Sequence, residues 1–434
     1  MITKLKYLKN HQGFIRYLQN TIWMMAEQFL RIIAGLFVGI WVARYLGPEQ
    51  FGLFSYVLAF TAIFGGIAKL GLDGILVREL VNHPEKRDIY LGTAFWLKVV
   101  GAFLVMILMI AIVPFTSNNG TTNIYIFIIA AGLIFQSFEV VEFYFQSQVL
   151  AKIVSICKVI QLALSSVIKI YLVLSEAELI YFVLVTVFDA FSLAVSYSIA
   201  YLLQKKPAFY KKIDFRIAIQ LIKGSWPLIF SGILVMVYMR IDQVMIQEML
   251  GKYEVGIYSA AVRISEAFYF IPMLIANSLF PAILNAKNQN DELYKQRLQR
   301  LYKFMVWMAI TIVLPMTFFS DFLIFLLFGQ AYQEAGEVLT VHAWASVFVF
   351  LGVASGKWFM LENLQRFTLI NTSVGAILNV VMNFILIPRF GVVGAAYATL
   401  ISYGVAAYLM NSVWKVSRFN FLMLSRSLLM FRRI

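Results

Sequence analysis

Apolar runs of about twenty residues recur along this chain, each long enough to cross roughly 30 Å of hydrocarbon as a helix. The first reads "TIWMMAEQFLRIIAGLFVGIWVA" and the last "GVVGAAYATLISYGVAAYLMNSV". Backbone groups left unpaired in lipid cost several kcal/mol apiece, so each run must close its hydrogen bonds within its own helix. The expected fold class is therefore an all-α polytopic membrane protein. Charged residues make up 13% of the 434 positions and hydrophobic ones 61%, where a soluble domain carries about 25% charge. With a mean hydropathy of +0.81, no large soluble domain fits.

Twelve spans are expected, near 20–44, 50–72, 89–114, 122–145, 152–174, 178–203, 224–250, 255–284, 302–328, 336–361, 366–388 and 391–414. Alternate loops are basic: Arg78, Lys86 and Arg87; Lys152; Lys205 to Lys223; Lys287 to Lys303; Arg366. The opposite loops, such as "PFTSNNGTTN" and "SEAE", are short and nearly free of lysine. The excess of Lys and Arg sets orientation, so the basic loops and both termini are expected on the cytoplasmic side. The net charge of +14 has its explanation there, which removes the argument for a nucleic-acid partner. The basic start, residues 1–19, reads as a segment on the membrane surface rather than a signal peptide, because the apolar stretch after it is too long and ends in "ARYLGPEQ". The single cysteine, Cys157, has no metal-ligand companions and reads as a packing residue.

An internal repeat divides the chain. "LGPEQFGLFS" at Leu46–Ser55 aligns without gaps on "LGKYEVGIYS" at Leu250–Ser259, an offset of 204 residues. Both copies open the second helix of a six-helix half, so the halves enter the membrane from the same face. The expected division is an N-terminal lobe over 20–203, a basic linker over 204–223, a C-terminal lobe over 224–414 and a basic tail over 415–434. Two-lobed repeats of this kind typify transporters.

Charges within the spans carry the functional signal. Arg31, Lys69, Lys98, Lys158, Lys169, Arg240, Arg263 and Lys357 lie inside them, with Glu27, Glu139, Glu142, Asp189, Asp242, Glu248, Glu266 and Asp321 at similar depth. A cation at mid-bilayer costs about 2.5–3.5 kcal/mol; eight facing lipid would cost roughly 20–28 kcal/mol by addition, more than a fold can spare. Most must face a watery interior or one another, although Lys69 and Lys357 are near enough to the headgroups to snorkel. Glu27 and Arg31, four apart, and Arg263 and Glu266, three apart, have the spacing of helical ion pairs. Arg240 and Asp242 point in nearly opposite directions, and each needs its own partner. In the fifth span Lys158, Gln161, Ser165 and Lys169 form a stripe roughly 16 Å long that contains no acid. Such a stripe suits an anionic solute or a phosphate. Asp189–Ser192–Ser196, Arg240–Gln243–Gln247 and Thr372–Asn379–Asn383 form further polar stripes, for which interhelical glue is the plain reading. No P-loop, G-x-S-x-G or metal-ligand spacing occurs, and His11, His83 and His342 are far apart. These residues give no sign of an enzyme or of a cofactor.

"ARYLGPEQFGLFSYVLAF" followed by "LGLDGILVREL" resembles the N-terminal signature of the polysaccharide-export branch of the multidrug/oligosaccharidyl-lipid/polysaccharide exporter superfamily. "DQVMIQEMLGKYEVGIYSAAVRISEAFYFIP" is similar to its seventh and eighth helices, and "LIPRFGVVGAAYATLISY" to its last loop and helix. Members are Wzx-type flippases of undecaprenyl-pyrophosphate-linked O-antigen or capsule repeat units. The resemblance implies two pseudo-symmetric six-helix bundles around a central cationic cavity, worked by alternating access. It implies that Arg31 and Arg263 line that cavity, of which only Arg263 lies in a matching motif; Lys98, Lys158 and Lys169 match none. The expected substrate-binding set is Arg31, Lys98, Lys158, Lys169, Arg240 and Arg263. Glu27, Asp189, Asp242 and Glu266 are expected as charge partners or carriers of a coupling H+ or Na+. Expected partners beyond the cargo are membrane lipids and a polysaccharide polymerase with its chain-length machinery. The rival readings are an ion-coupled multidrug or metabolite antiporter of the same superfamily, and a membrane glycan polymerase or ligase, which would carry a large outer loop.

Overall fold

The structure, a computed structural model, describes residues 12–429, with side chains from residue 19 onward. Most of the segment expected on the membrane surface, and Arg432 and Arg433 of the tail, lie outside the described residues.

Ten continuous helical stretches are long and apolar enough to cross a membrane among the described residues. Two of them, Gln19–Asn82 and Gln365–Val413, are broken by a glycine outside the helical region, Gly47 and Gly391, and the first also turns at Gly71 (φ 58°) ahead of the ten-residue helix Asp73–Asn82. Counting each of these as two spans gives the expected twelve. The loops expected at 45–49 and 389–390 are reduced to sharp breaks between two helices, at Gly47 within the stretch α1 (Gln12–Lys69) and at Gly391. The reason is local. Gly47 takes φ 69° and ψ 170°, a region open essentially to glycine alone. Pro48 follows at the first position of the next helix, where its missing N–H leaves nothing unpaired. The chain turns on one residue.

Helices α2 (Asp73–Asn82), α3 (Arg87–Ile112), α4 (Gly120–Gly132), α5 (Glu139–Ser147), α6 (Ala151–Leu174) and α7 (Leu179–Leu203) follow. A 3-10 segment, Leu133–Phe138, joins α4 to α5. Next come α8 (Phe215–Met249), α9 (Lys252–Glu266), α10 (Phe270–Gln289), α11 (Asp291–Phe318) and α12 (Ser320–Phe328). Then come α13 (Ala335–Leu361), α14 (Gln365–Gly404), a π-helical turn at Val405–Leu409, α15 (Met410–Val413) and α16 (Arg418–Leu428).

The chain forms two compact units. One comprises the chain up to Val42 together with Phe60–Ile233; the other comprises Ala43–Ala59 and the chain from Leu234 on. In the first unit, Leu72, Leu76, Leu91, Val140, Phe145, Tyr197 and Phe209 build a buried cluster. The basic linker is docked on α3: Trp96 Nε1 donates to the Tyr210 carbonyl at 2.9 Å, and the Asp214 N–H donates to Thr93 Oγ1 at 3.1 Å. A side chain on Gly92 would collide with the carbonyls of Phe209 and Lys212. In the second unit, Ile246, Tyr258, Ala261, Tyr302, Phe328, Leu339 and Phe350 are buried. The α16 helix is held on α11 and α13 by side-chain amides: Asn420 accepts from Tyr302 Oη at 2.6 Å and donates to Ser355 Oγ at 2.7 Å. Large apolar residues such as Phe37, Val100, Ile107 and Phe384 stand exposed, as suits helices whose outer faces meet lipid rather than water.

Candidate functional site

In the first unit every nominated cation meets a carboxylate. Arg31 and Glu27 pair at 2.7 Å along α1, as their spacing predicts, and Arg31 Nη2 is buried with no hydrogen-bond partner among the described residues. The 3-10 segment ahead of α5 resets the helical phase, and Glu139 and Glu142 then share one face. Lys98, only 2% exposed, reaches from α3 to Glu139 Oε2 at 2.7 Å and lies 5.0 Å from the centre of the Phe143 ring. Lys158 reaches from α6 to Glu142 Oε1 at 2.6 Å. Glu142 also accepts from Tyr197 Oη at 2.6 Å and Gln146 Nε2 at 3.0 Å. At the other end of the α6 stripe, Lys169 Nζ is 3.0 Å from Asp189 Oδ2, and Gln161 Nε2 donates to Asp189 Oδ1 at 2.9 Å.

This corrects the reading of α6 as a cationic stripe free of acid. The helix itself has none, but α5 and α7 supply one carboxylate to each lysine. Helical spacing reveals neighbours within a helix and is silent about those on the next. Glu139 and Glu142 stand out in the sequence only as acids at membrane depth, and the structure makes them the partners of Lys98 and Lys158.

In the second unit Glu266 pairs with Arg240 on α8, with Nη1 and Oε2 3.4 Å apart, and not with Arg263 three residues before it. Arg263 instead lies over the Phe51 ring at 5.5 Å, so its guanidinium is drawn toward the segment Ala43–Ala59. Asp242 does point away from Arg240, as the spacing requires, and it draws on neutral donors. Its Oδ2 accepts from Tyr258 Oη at 2.6 Å and from Thr399 Oγ1 at 2.5 Å, and its Oδ1 accepts from Asn383 Nδ2 at 2.5 Å. Asn379 Oδ1 lies 3.2 Å from Asn383 Nδ2. Two members of the stripe on α14 thus become the shell of a buried carboxylate; the contributions of Tyr258 and Thr399 carry no sequence signal. His342 Nδ1 and Ser265 Oγ are hydrogen-bonded at 2.7 Å.

The two copies of the repeat meet within this second unit. Gly47 and Gly251 share one conformation, the latter at φ 109° and ψ 179°. Around the crossing, Lys252 pairs with Glu49 at 2.8 Å, and Tyr332 Oη donates to the Ala43 carbonyl at 2.6 Å.

A family model described as "Polysaccharide biosynthesis protein" matches residues 17–287, and a second, MatE, matches 227–385. A probable low-salt glycan biosynthesis flippase of Haloferax volcanii, Agl15, is 26% identical over 86% of this chain and 78% of its own. The capsular polysaccharide biosynthesis protein CapF of Staphylococcus aureus is 24% identical over 89% of this chain and 96% of its own. Among solved structures, an inward-facing multidrug resistance MATE family transporter of the MOP superfamily superposes with a TM-score of 0.72 at 17% identity, covering 91% of this chain and 96% of that one. That likeness shows the fold. The first family model spans more than half of the sequence, and the chain therefore belongs to the polysaccharide biosynthesis protein family.

Proposed function

We propose that this multi-pass membrane protein is a glycan flippase, a transporter and not an enzyme. Its cargo is an undecaprenyl-pyrophosphate-linked oligosaccharide repeat unit, moved from the cytoplasmic to the outer leaflet of a bacterial plasma membrane by alternating access. The termini are cytoplasmic. The relatives in glycan and capsule synthesis support the cargo class, and the observation that carries the reading is the set of cations at membrane depth held in ion pairs.

A guanidinium or ammonium binds phosphate oxygens as well as it binds a carboxylate. Cargo phosphate can therefore replace Glu27, Asp189 or Glu266 while the cation stays paired, and the displaced carboxylate takes up a proton rather than stand as a bare charge in low dielectric. Arg31, Lys98, Lys158, Lys169, Arg240 and Arg263 neutralise the pyrophosphate and any acidic sugars, while the lipid tail stays in the bilayer. The unused Nη2 donor of Arg31 is available to a phosphate oxygen from the start. Asp242, in its shell of neutral oxygen and amide groups, carries the coupling H+ or Na+. The delivered units feed a polysaccharide polymerase and its chain-length machinery.

A second reading, an ion-coupled multidrug or metabolite antiporter, is favoured by the MatE match over 227–385 and by that same buried carboxylate. The two separate in a host strain lacking the protein, whose lipids are extracted and analysed by mass spectrometry. The flippase reading predicts accumulation of complete undecaprenyl-pyrophosphate repeat units and loss of surface glycan. Normal lipid pools and normal surface glycan, in a strain without a redundant flippase, would transfer the assignment to drug or metabolite export.

A further inference from the structure

The second unit contains a cavity of about 260 Å³, far above the roughly 10–15 Å³ that admits one water. It is remote in character from the charged sites: no residue lining it is ionisable apart from tyrosines. Its walls are aromatic, with Tyr238, Tyr269, Tyr403, Phe348 and Phe359 among them. The Tyr238 and Tyr403 rings lie 4.5 Å apart between centroids at 34°. Glycines and alanines keep the space open, and the π-helical turn at Val405–Leu409 contributes Ala406 and Ala407 to the wall. Turns of that kind are frequent at functional sites.

Two polar atoms in the lining are buried without a hydrogen-bond partner among the described residues, Tyr269 Oη and Asn371 Oδ1. The hydroxyl can serve a donor or an acceptor, whereas the amide oxygen can only accept. Asn371 is 4% exposed. Its neighbours in the lining are provided for: Asn411 accepts from Asn420 at 2.9 Å, and Ser355 accepts from the same amide at 2.7 Å. An occupant must therefore bring an N–H or O–H donor to Asn371 and apolar faces to the tyrosines, and it must carry no charge. An isoprenoid chain lacks the donor, a pyrophosphate lacks the apolar faces and meets no cation here, and an organic cation meets no carboxylate. A neutral pyranose has C–H faces that pack on aromatic rings and hydroxyl or acetamido donors at its rim.

We propose that this cavity is a sugar subsite, which takes one neutral pyranose ring of the carried glycan. The inference rests on the glycan-flippase reading, and it places sugar recognition apart from the charge pairs. Recognition of the pyrophosphate and selection among glycans then reside in different parts of the chain.

Gly356 provides the test. It lines the cavity, and a Cβ built on it meets nothing within 4 Å, so Gly356→Leu fills the space without displacing backbone. The full chain in lipid nanodiscs is observed by saturation-transfer difference NMR with N-acetylglucosamine, glucose and farnesol as probes. Saturation of one or both sugars is expected, lost in Gly356→Leu, and with binding about two- to tenfold weaker in Asn371→Ala, the worth of one hydrogen bond. Both variants are expected to melt near the parent temperature. Equal sugar saturation in the parent and Gly356→Leu, no sugar saturation at all, or saturation of farnesol alone would each overturn the proposal. The measurement involves no transport, so a negative result stands apart from the strain experiment, which tests the flippase reading itself.

Discussion

Gly52 and Gly256 occupy the same position in the two copies of the repeat, and each lies where a side chain would strike the other copy's backbone. A Cβ on Gly52 would collide with the Lys252 carbonyl, and one on Gly256 with the Pro48 carbonyl. The two segments cross at their glycines. In a helix interior Gly→Ala normally stabilises by about 1 kcal/mol. Here overpacking against backbone, typically about 1–3 kcal/mol and sometimes more, opposes and exceeds it. Gly256→Ala is therefore expected to lower the melting temperature in detergent, and Gly256→Val to lower it further. An unchanged or raised melting temperature in both would mean that the crossing is looser than described.

Lys98 is the most deeply buried of the cations. Removing one partner of a buried pair costs about 3–5 kcal/mol, whereas replacing both by apolar groups of similar size is often neutral. Glu139 retains 24% side-chain exposure, which puts the expected cost of Lys98→Met at the lower end of that range. The double variant Lys98→Met with Glu139→Leu should recover most of the stability but not glycan export. Recovery of both would reduce the pair to a structural role.

Arg240 and Glu266 touch through a single Nη1–Oε2 contact of 3.4 Å, not a two-pronged fork. A lysine can replace a contact of that kind, although it cannot replace a fork. Arg240→Lys is expected to keep most surface glycan and Arg240→Ala to lose it, at comparable protein levels in the membrane. If Lys fails as completely as Ala, charge alone does not explain the residue.

Asp242 accepts three hydrogen bonds from neutral donors. Asn at this position is nearly isosteric, and its donor-only NH2 finds an acceptor if Asn383 turns its unpartnered Oδ1 toward it, so Asp242→Asn should leave the melting temperature within a few degrees of the parent. The expected change is functional: transport in reconstituted vesicles loses its response to an imposed H+ or Na+ gradient. A gradient response as large as the parent's would remove Asp242 from ion coupling.

What the sequence reveals here follows from what periodicity can encode. Span number is written in hydropathy, the kink at Gly47 in the Gly47–Pro48 pair, and the kink at Gly391 in a glycine three residues after Pro388. The repeat is legible because its glycines are required by contact and by backbone conformation. Pairs within one helix, such as Glu27 with Arg31, can be read from spacing. Pairs between helices cannot, because they depend on the rotation of each helix about its axis. In the fourth span that rotation is set by the 3-10 segment at Leu133–Phe138, which no apolar pattern announces. Asp242 could be singled out as a costly charge, yet its Tyr258 and Thr399 donors lie 16 and 157 residues away. The uncharged cavity around Asn371 is silent in the sequence for the same reason, since its lining residues each look like ordinary span residues.

The central claim is tested most directly by purifying the protein, reconstituting it in liposomes and following a fluorescent undecaprenyl-pyrophosphate oligosaccharide by its accessibility to a membrane-impermeant quencher. Transfer between leaflets well above that of protein-free liposomes, and reduced when the paired cations Lys158 and Lys169 are replaced by alanine, is the predicted result. Transfer no faster than in empty liposomes, from preparations that do move an organic cation, would contradict it.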